Sequence, residues 1–206
     1  MNAEIDITNI RLRTKRLTLR PWEPGDVGDL FEYASVDGVG QMAGWAPHKD
    51  LATSQEILDM FIREKHVFAL EYRGKVIGSL GIEKYNEKEL PDFDAKRGAE
   101  LGFVIAKDHW GQGLAAEAVR EVERYLFEEL HLDFITCGHF AWNAQSGRVQ
   151  EKCGFRFLKR YEYETLMGTR EMLVLNVLTK EEWQSIPPQP LALNRQPQSN
   201  QPSAQP

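Results

Sequence analysis

Residues 104–118 read VIAKDHWGQGLAAEA. Gly111 and Gly113 stand between an apolar, strand-like stretch and a helix-like run that opens on Leu114, Ala115 and Ala116. Helix N-termini present unpaired N–H groups and a partial positive charge. Glycine lets an anion approach those amides with no Cβ in the way, and small residues keep the first turn uncrowded. The chemistry suggested is the grip of a phosphate or diphosphate. The residues alone leave three readings: a dinucleotide site, the diphosphate of an acyl carrier, or a tight turn that binds nothing. GQGLAA fits G-x-G-x-x-A loosely, and Asp133 lies 20 residues beyond Gly113. The context is wrong, however. KDHW separates the glycines from the strand, and Asp133 begins the next strand instead of ending it. No Gly-Lys-Ser/Thr follows, so a P-loop is excluded.

The elements that must position this loop are read from periodicity. RLTLRPW (16–22) alternates and ends at a proline, as a strand and turn do. EPGDVGDLFEYAS carries Val27, Leu30, Phe31 and Ala34 at helical spacing. TSQEILDMFIREK (53–65) opens with Thr53 and Glu56, a capping box, and predicts a second helix. HVFALEYRGKVIGSLGIEKY predicts two strands around Arg73-Gly74. Residues 86–97 are a loop, 98–106 a strand, and the glycine motif leads into a helix ending near Leu130. DFITCGHFA (133–141) is a strand and NAQSGRVQEKCG a short helix ended by Gly154. FRFLKRYEYE and TREMLVLNVLT close the chain as a hairpin through Met167-Gly168, and Thr179 with Glu182 caps a last helical turn. The order predicts an α/β (α+β) chain, a mixed sheet with helices on both faces.

Residues 1–186 are expected to form one domain, and 187–206 a disordered tail rich in proline and glutamine. The last twenty residues hold six of the ten prolines and few large apolar side chains, too few to offset ordering entropy. No apolar run approaches the roughly 20 residues of a membrane span, and the N-terminus lacks a signal-peptide core, so a cytoplasmic location is expected. The net charge of −6 argues against a nucleic-acid partner and suits a cationic small molecule or peptide. Cys137 and Cys153 read as reduced core thiols. The five histidines lack ligand spacing, so no metal site is expected.

Segment 99–155, above all AELGFVIAKDHWGQGLAAEAV and NAQSGRVQEKCGF, resembles the GNAT superfamily of acetyl-CoA-dependent N-acetyltransferases. Within it the chain resembles the branch of ribosomal-protein alanine and serine N-terminal acetyltransferases. RLTLRPWEPGD and YRGKVIGSLGI extend the likeness to roughly residues 14–180. The family's loop pattern, Gln/Arg-x-x-Gly-x-Gly/Ala, runs here from Trp110 to Ala115; tryptophan at its first position departs from the general pattern but is common in this branch.

The resemblance implies the acyl-CoA N-acyltransferase fold: a mostly antiparallel, seven-stranded sheet whose central parallel strands, 99–106 and 133–141, splay apart. It implies that the pantetheine arm of acetyl-CoA lies in that gap, pairing with backbone of Phe103, Val104, Ile105 or Ala106. The diphosphate would take amides of Trp110, Gly111, Gln112, Gly113, Leu114 and Ala115. Lys107 and His109 would add positive charge or stay solvated. Asn143 would bond the coenzyme arm, a role compatible with capping the helix that follows.

The family acetylates amines by direct attack within a ternary complex. A base is needed because most alkyl amines are protonated at neutral pH. Glu100 is the candidate, alternating with Leu101 and Phe103 beside the implied thioester. Many relatives place a tyrosine seven residues after the asparagine to serve the thiolate; here that residue is Gln150. The branch most resembled has a serine three residues after it, which is Ser146, with Tyr161 and Tyr163 as spare donors. The glycine-rich loop 35–52, with Trp45 and His48, is expected to bind the acceptor, and acidic residues of loop 84–97 could attract it. The acceptor would be a protein N-terminus or a small-molecule amine, with no membrane or nucleic-acid partner and a monomer or homodimer as the working unit. A non-catalytic acyl-CoA sensor on the same fold is the alternative.

Overall fold

A computed structural model describes residues 1–187. Its strands are β1 (Leu12–Arg13), β2 (Leu17–Arg20), β3 (Val67–Tyr72), β4 (Lys75–Glu83), β5 (Gly98–Ile105), β6 (Phe134–Phe140), β7 (Arg156–Glu164) and β8 (Arg170–Thr179). The helices are α1 (Val27–Ala34), α2 (Leu51–Glu64), α3 (Leu114–Arg124), α4 (Ala144–Lys152) and α5 (Lys180–Ser185). One sheet runs in the order β1-β2-β3-β4-β5-β6-β8-β7. Every neighbouring pair is antiparallel except β5 and β6. The expected seven strands are joined by β1, a two-residue edge strand on β2. Apart from Pro187, the proposed tail lies outside the described residues. No described helix is long and apolar enough to cross a membrane.

Local chemistry explains most boundaries. Arg73 and Gly74 both take positive φ, 53° and 80°, the pairing that a two-residue hairpin turn demands. Thr179 and Glu182 form the expected capping box on α5. The start of α2 corrects the sequence reading. Asp50 is the cap, its carboxylate accepting the Thr53 N–H and Thr53 Oγ1, both at 2.8 Å. Thr53 is therefore inside the first turn, where an aspartate three residues before it out-competes its own hydroxyl as a cap. Arg20 is buried and grips Asp26 with two guanidinium nitrogens at 2.7 and 2.9 Å, fixing the turn from β2 into α1.

Helices cover both faces. On one, Leu114, Val119, Val122 and Leu126 pack against Leu80, Leu101 and Ile135. On the other, Leu30, Ala34 and Leu58 of α1 and α2 cover Val67, Ala69 and Val76. Each fully buried leucine contributes about 1.5–3 kcal/mol relative to leaving it exposed. A third cluster joins Phe93 and Phe134 to Leu173 and Leu175.

The parallel pair decides the shape of the site. β5 and β6 are in register from Gly98 opposite Phe134 to Leu101 opposite Cys137. At that end Asp133 locks them: its N–H donates to Arg97 O at 2.8 Å, and its carboxylate accepts the Arg97 N–H at 2.7 Å. Beyond Leu101 the two strands part. β5 stays on β4 to Ile105, and β6 stays on β8 to Phe140, so each side of the gap is backed by a neighbouring strand.

Glu123 of α3 is 1% exposed, and its Oε1 has no partner among the described residues. Burial pushes this carboxyl up to about 9. The folded chain therefore holds a proton that the unfolded chain releases near pH 4.5. The stability this gives is complete below that value and is lost as pH rises through about 9. Glu123→Gln is expected to raise the melting temperature at pH 9 by several degrees more than at pH 5. Equal shifts at both pH values, in thermal scans, would contradict the buried proton.

Candidate active site

A short 3-10 turn, Lys107–His109, occupies the KDHW stretch and carries the chain from β5 to the glycines. Gly111 and Gly113 sit at φ 74° and 76°, left-handed values that glycine adopts freely and side-chain-bearing residues resist. Gly113 is the N-cap of α3 and has no side chain to cap it, whereas Asp50, Asn143 and Thr179 cap α2, α4 and α5. The first N–H groups of α3 are thus left for something else.

The loop is pinned on two sides. Trp110 Nε1 donates to Ile105 O at 2.7 Å, tying it to the end of β5. Arg16 Nη1 donates to Gln112 O at 2.9 Å, while Arg16 Nε meets Glu117 at 2.7 Å. Thr14 Oγ1 also donates to Glu117, at 2.6 Å. Burial alone would raise the Glu117 carboxyl, but the bonds from Thr14 and Arg16 outweigh it and hold it low. Glu117 therefore stays ionised, its charge offset by Arg16 next to the open helix end. Lys107 is directed elsewhere: its Nζ donates to Asp37 O at 3.1 Å, linking this turn to loop 35–50.

A cavity of about 700 Å³ fills the gap between β5 and β6. Of the residues expected to hold the coenzyme, Phe103, Val104, Ile105, Trp110, Gly111, Gly113, Leu114, Ala115 and Asn143 line it, and Ala106 and Gln112 do not. Backbone direction narrows the set further. Ala106 N–H donates to Ile77 O, so by antiparallel alternation Val104 and Gly102 also turn their amides to β4. The N–H groups of Phe103 and Ile105 then face the gap. Val104 and Ala106 are thus corrected as backbone partners, and their side chains pack toward the α1–α2 cluster.

Glu100 lies on the cavity wall. Burial pushes its carboxyl above the ordinary carboxylate range, partly offset by Thr136 Oγ1, which donates to its carboxylate at 3.4 Å. Tyr161 and Tyr163 line the same cavity. Burial, followed by the nearby Glu100 charge, pushes the Tyr161 phenol up to about 12, so it keeps its proton. Ser146 also lines the cavity, one turn into α4. Asn143 caps that helix, accepting the Ser146 N–H at 3.1 Å, and its Nδ2 donates to Met42 O at 3.2 Å. Its amide thus joins α4 to loop 35–50.

Trp45 and His48 do not line this cavity. Trp45 lies against Gly40 and the His48 ring, 5.3 Å between centroids, and His48 Nδ1 is bonded to Ser54 Oγ at 2.8 Å. Val39, Met42 and Ala43 are the loop residues that reach the cavity. His109 does line it, its ring edge-on to Tyr72 and its Nδ1 buried without a partner among the described residues.

Comparison with known proteins fits this geometry. The acetyltransferase (GNAT) domain profile matches residues 16–156. The chain is 32% identical over 163 residues, 74% of its length and 88% of the relative's, to the uncharacterized N-acetyltransferase YoaA of Bacillus subtilis (strain 168). It is 30% identical over 116 residues to YdaF of the same organism, provisionally named a ribosomal N-acetyltransferase, covering 56% of this chain and 60% of that protein. Among solved structures, spermidine N-acetyltransferase from Vibrio cholerae, in complex with CoA and spermine, superposes with a TM-score of 0.67 at 21% identity. That match covers 82% of this chain and 98% of the other, and it speaks for the fold.

Proposed function

The chain belongs to the GNAT acetyltransferase family, and from that premise we propose that it moves the acetyl group of acetyl-CoA to a primary amine by direct attack in a ternary complex. The observation that carries this reading is the gap between β5 and β6, which opens beside the uncapped N-terminus of α3 and holds Glu100 on its wall. In this reading the diphosphate rests on amides of the glycine loop and first turn. The pantetheine arm follows the Phe103 and Ile105 N–H groups into the gap. Glu100 takes a proton from the ammonium before attack, or from the amine nitrogen as the C–N bond forms, directly or through a water. A β5 N–H stabilises the tetrahedral oxyanion. As the C–S bond breaks, the thiolate accepts a hydrogen bond from Ser146; the amide and the coenzyme leave, and the thiolate takes its proton from solvent while Glu100 returns its own to water.

The raised carboxyl of Glu100 suits the base, since proton transfer is most effective when donor and acceptor affinities approach one another. The base works only when ionised, so kcat/KM should fall on the acid side, at a pH above the ordinary carboxylate value. Thr136→Val removes the hydrogen bond that lowers this group. The acid limb should therefore move to higher pH, and an unmoved or lowered limb would contradict Glu100 as the titrating base.

The names of YdaF and of the Vibrio structure suggest the first acceptors to try, N-terminal peptides and polyamines. The test is thiol release from acetyl-CoA across a panel of such amines and small-molecule amines. Turnover with at least one primary amine supports the reading. Tight acetyl-CoA binding with no turnover on any would favour a sensor.

A further inference from the structure

Gln150 occupies the place where many relatives are expected to carry a tyrosine, yet it does not line the cavity. It is wholly buried beneath the wall. Its Nε2 donates to Gly138 O at 3.1 Å and to Ser146 Oγ at 3.2 Å, and its Oε1 accepts Asn176 Nδ2 at 2.7 Å. Gly138 is the first residue of β6 beyond its paired stretch with β5.

The chemistry fixes which way this amide points. A backbone carbonyl can only accept, so the atom facing Gly138 must be the NH2 group. The second N–H of that group meets Ser146 Oγ and occupies one of its lone pairs. The serine must then send its own hydrogen elsewhere. Among the described residues Oγ has no acceptor, and the cavity is the open side. Asn176, also buried, holds the far end of the amide so that it cannot flip.

We propose that Gln150, held by Asn176, is a positioning residue that aims the Ser146 hydroxyl hydrogen at the leaving sulfur. This rests on Ser146 serving the thiolate. Gln150 touches neither coenzyme nor acceptor, and its effect passes through Ser146 alone.

The test is a double-mutant cycle on the full chain, with acetyl-CoA and the best amine of the panel. Ser146→Ala and Gln150→Met should each lower kcat by about tenfold, and the double variant should be no slower than Ser146→Ala, because the two act as one unit. KM for acetyl-CoA should stay within about twofold, a split that general loosening of the fold would not produce. Multiplied losses, about a hundredfold in the double variant, would overturn the proposal. So would a full-speed Gln150→Met beside a slow Ser146→Ala. Should Gln150→Met unfold early, the cycle is run with Asn176→Ala, which leaves Gln150 in place but free to turn; its loss should likewise vanish in the Ser146→Ala background. A normal kcat in Ser146→Ala would remove the thiolate role and this proposal while leaving acetyl transfer intact. Absence of turnover in the unaltered chain would instead remove the acetyltransferase reading itself.

Discussion

Gly113→Val is expected to weaken acetyl-CoA binding by at least about a hundredfold, the order set by loss of two or three hydrogen bonds to a charged group. Valine at φ 76° is strained, at about 1–2 kcal/mol or more for a branched side chain in left-handed backbone. Its Cβ would stand on the N-cap of α3, on the approach to the free amides, with Arg16 only 3.8 Å away. Little else in the turn would be disturbed, because Trp110 and Arg16 anchor the loop from either side. The change should therefore appear in titration calorimetry as lost affinity with a modest loss of melting temperature. Unchanged affinity would contradict the diphosphate site.

Glu100→Gln should do the reverse. It keeps size and leaves the glycine loop untouched, so the dissociation constant for acetyl-CoA should remain within about twofold, as for any group that acts only in the transition state. The turnover number should fall by about 10²–10⁴, the range for loss of a positioned base. The part of the acid limb set by the Glu100 carboxyl should go with it, leaving only the fall due to protonation of the acceptor amine itself. Parallel losses in affinity and turnover would make Glu100 a wall residue, not a base. At saturating amine and high pH, where more of the acceptor is already deprotonated, the deficit should shrink.

Much of the fold was legible because its signals are local. Arg73-Gly74 announces its own turn, Asn143 and Thr179 their own helices, and the alternation in 98–106 its strand. What was not legible depends on distant partners. The two residues of β1 are a strand only because β2 lies beside them. Where the parallel pairing stops cannot be seen in side chains, since β5 and β6 remain apolar and strand-like past Leu101; the family resemblance supplied the splay. Within the site, the glycines stood out by type, and Glu100 by its place beside the thioester that the resemblance implied. Arg16 did not, because Gln112 and Glu117 lie about a hundred residues further along the chain. Trp45 and His48 drew notice as chemically distinctive residues in a glycine-rich loop. Their rings pack on the protein itself, and Val39, Met42 and Ala43 reach the cavity, three residues with no chemistry to mark them.

A crystal structure with acetyl-CoA bound tests the central claim most directly. The account predicts diphosphate oxygens on the N–H groups between Gly111 and Ala115. It also predicts pantetheine amides along Phe103 and Ile105, and the thioester between Glu100 and Ser146. A coenzyme bound away from the glycine loop, or β5 and β6 zipped together past Leu101 with the arm outside, would contradict it.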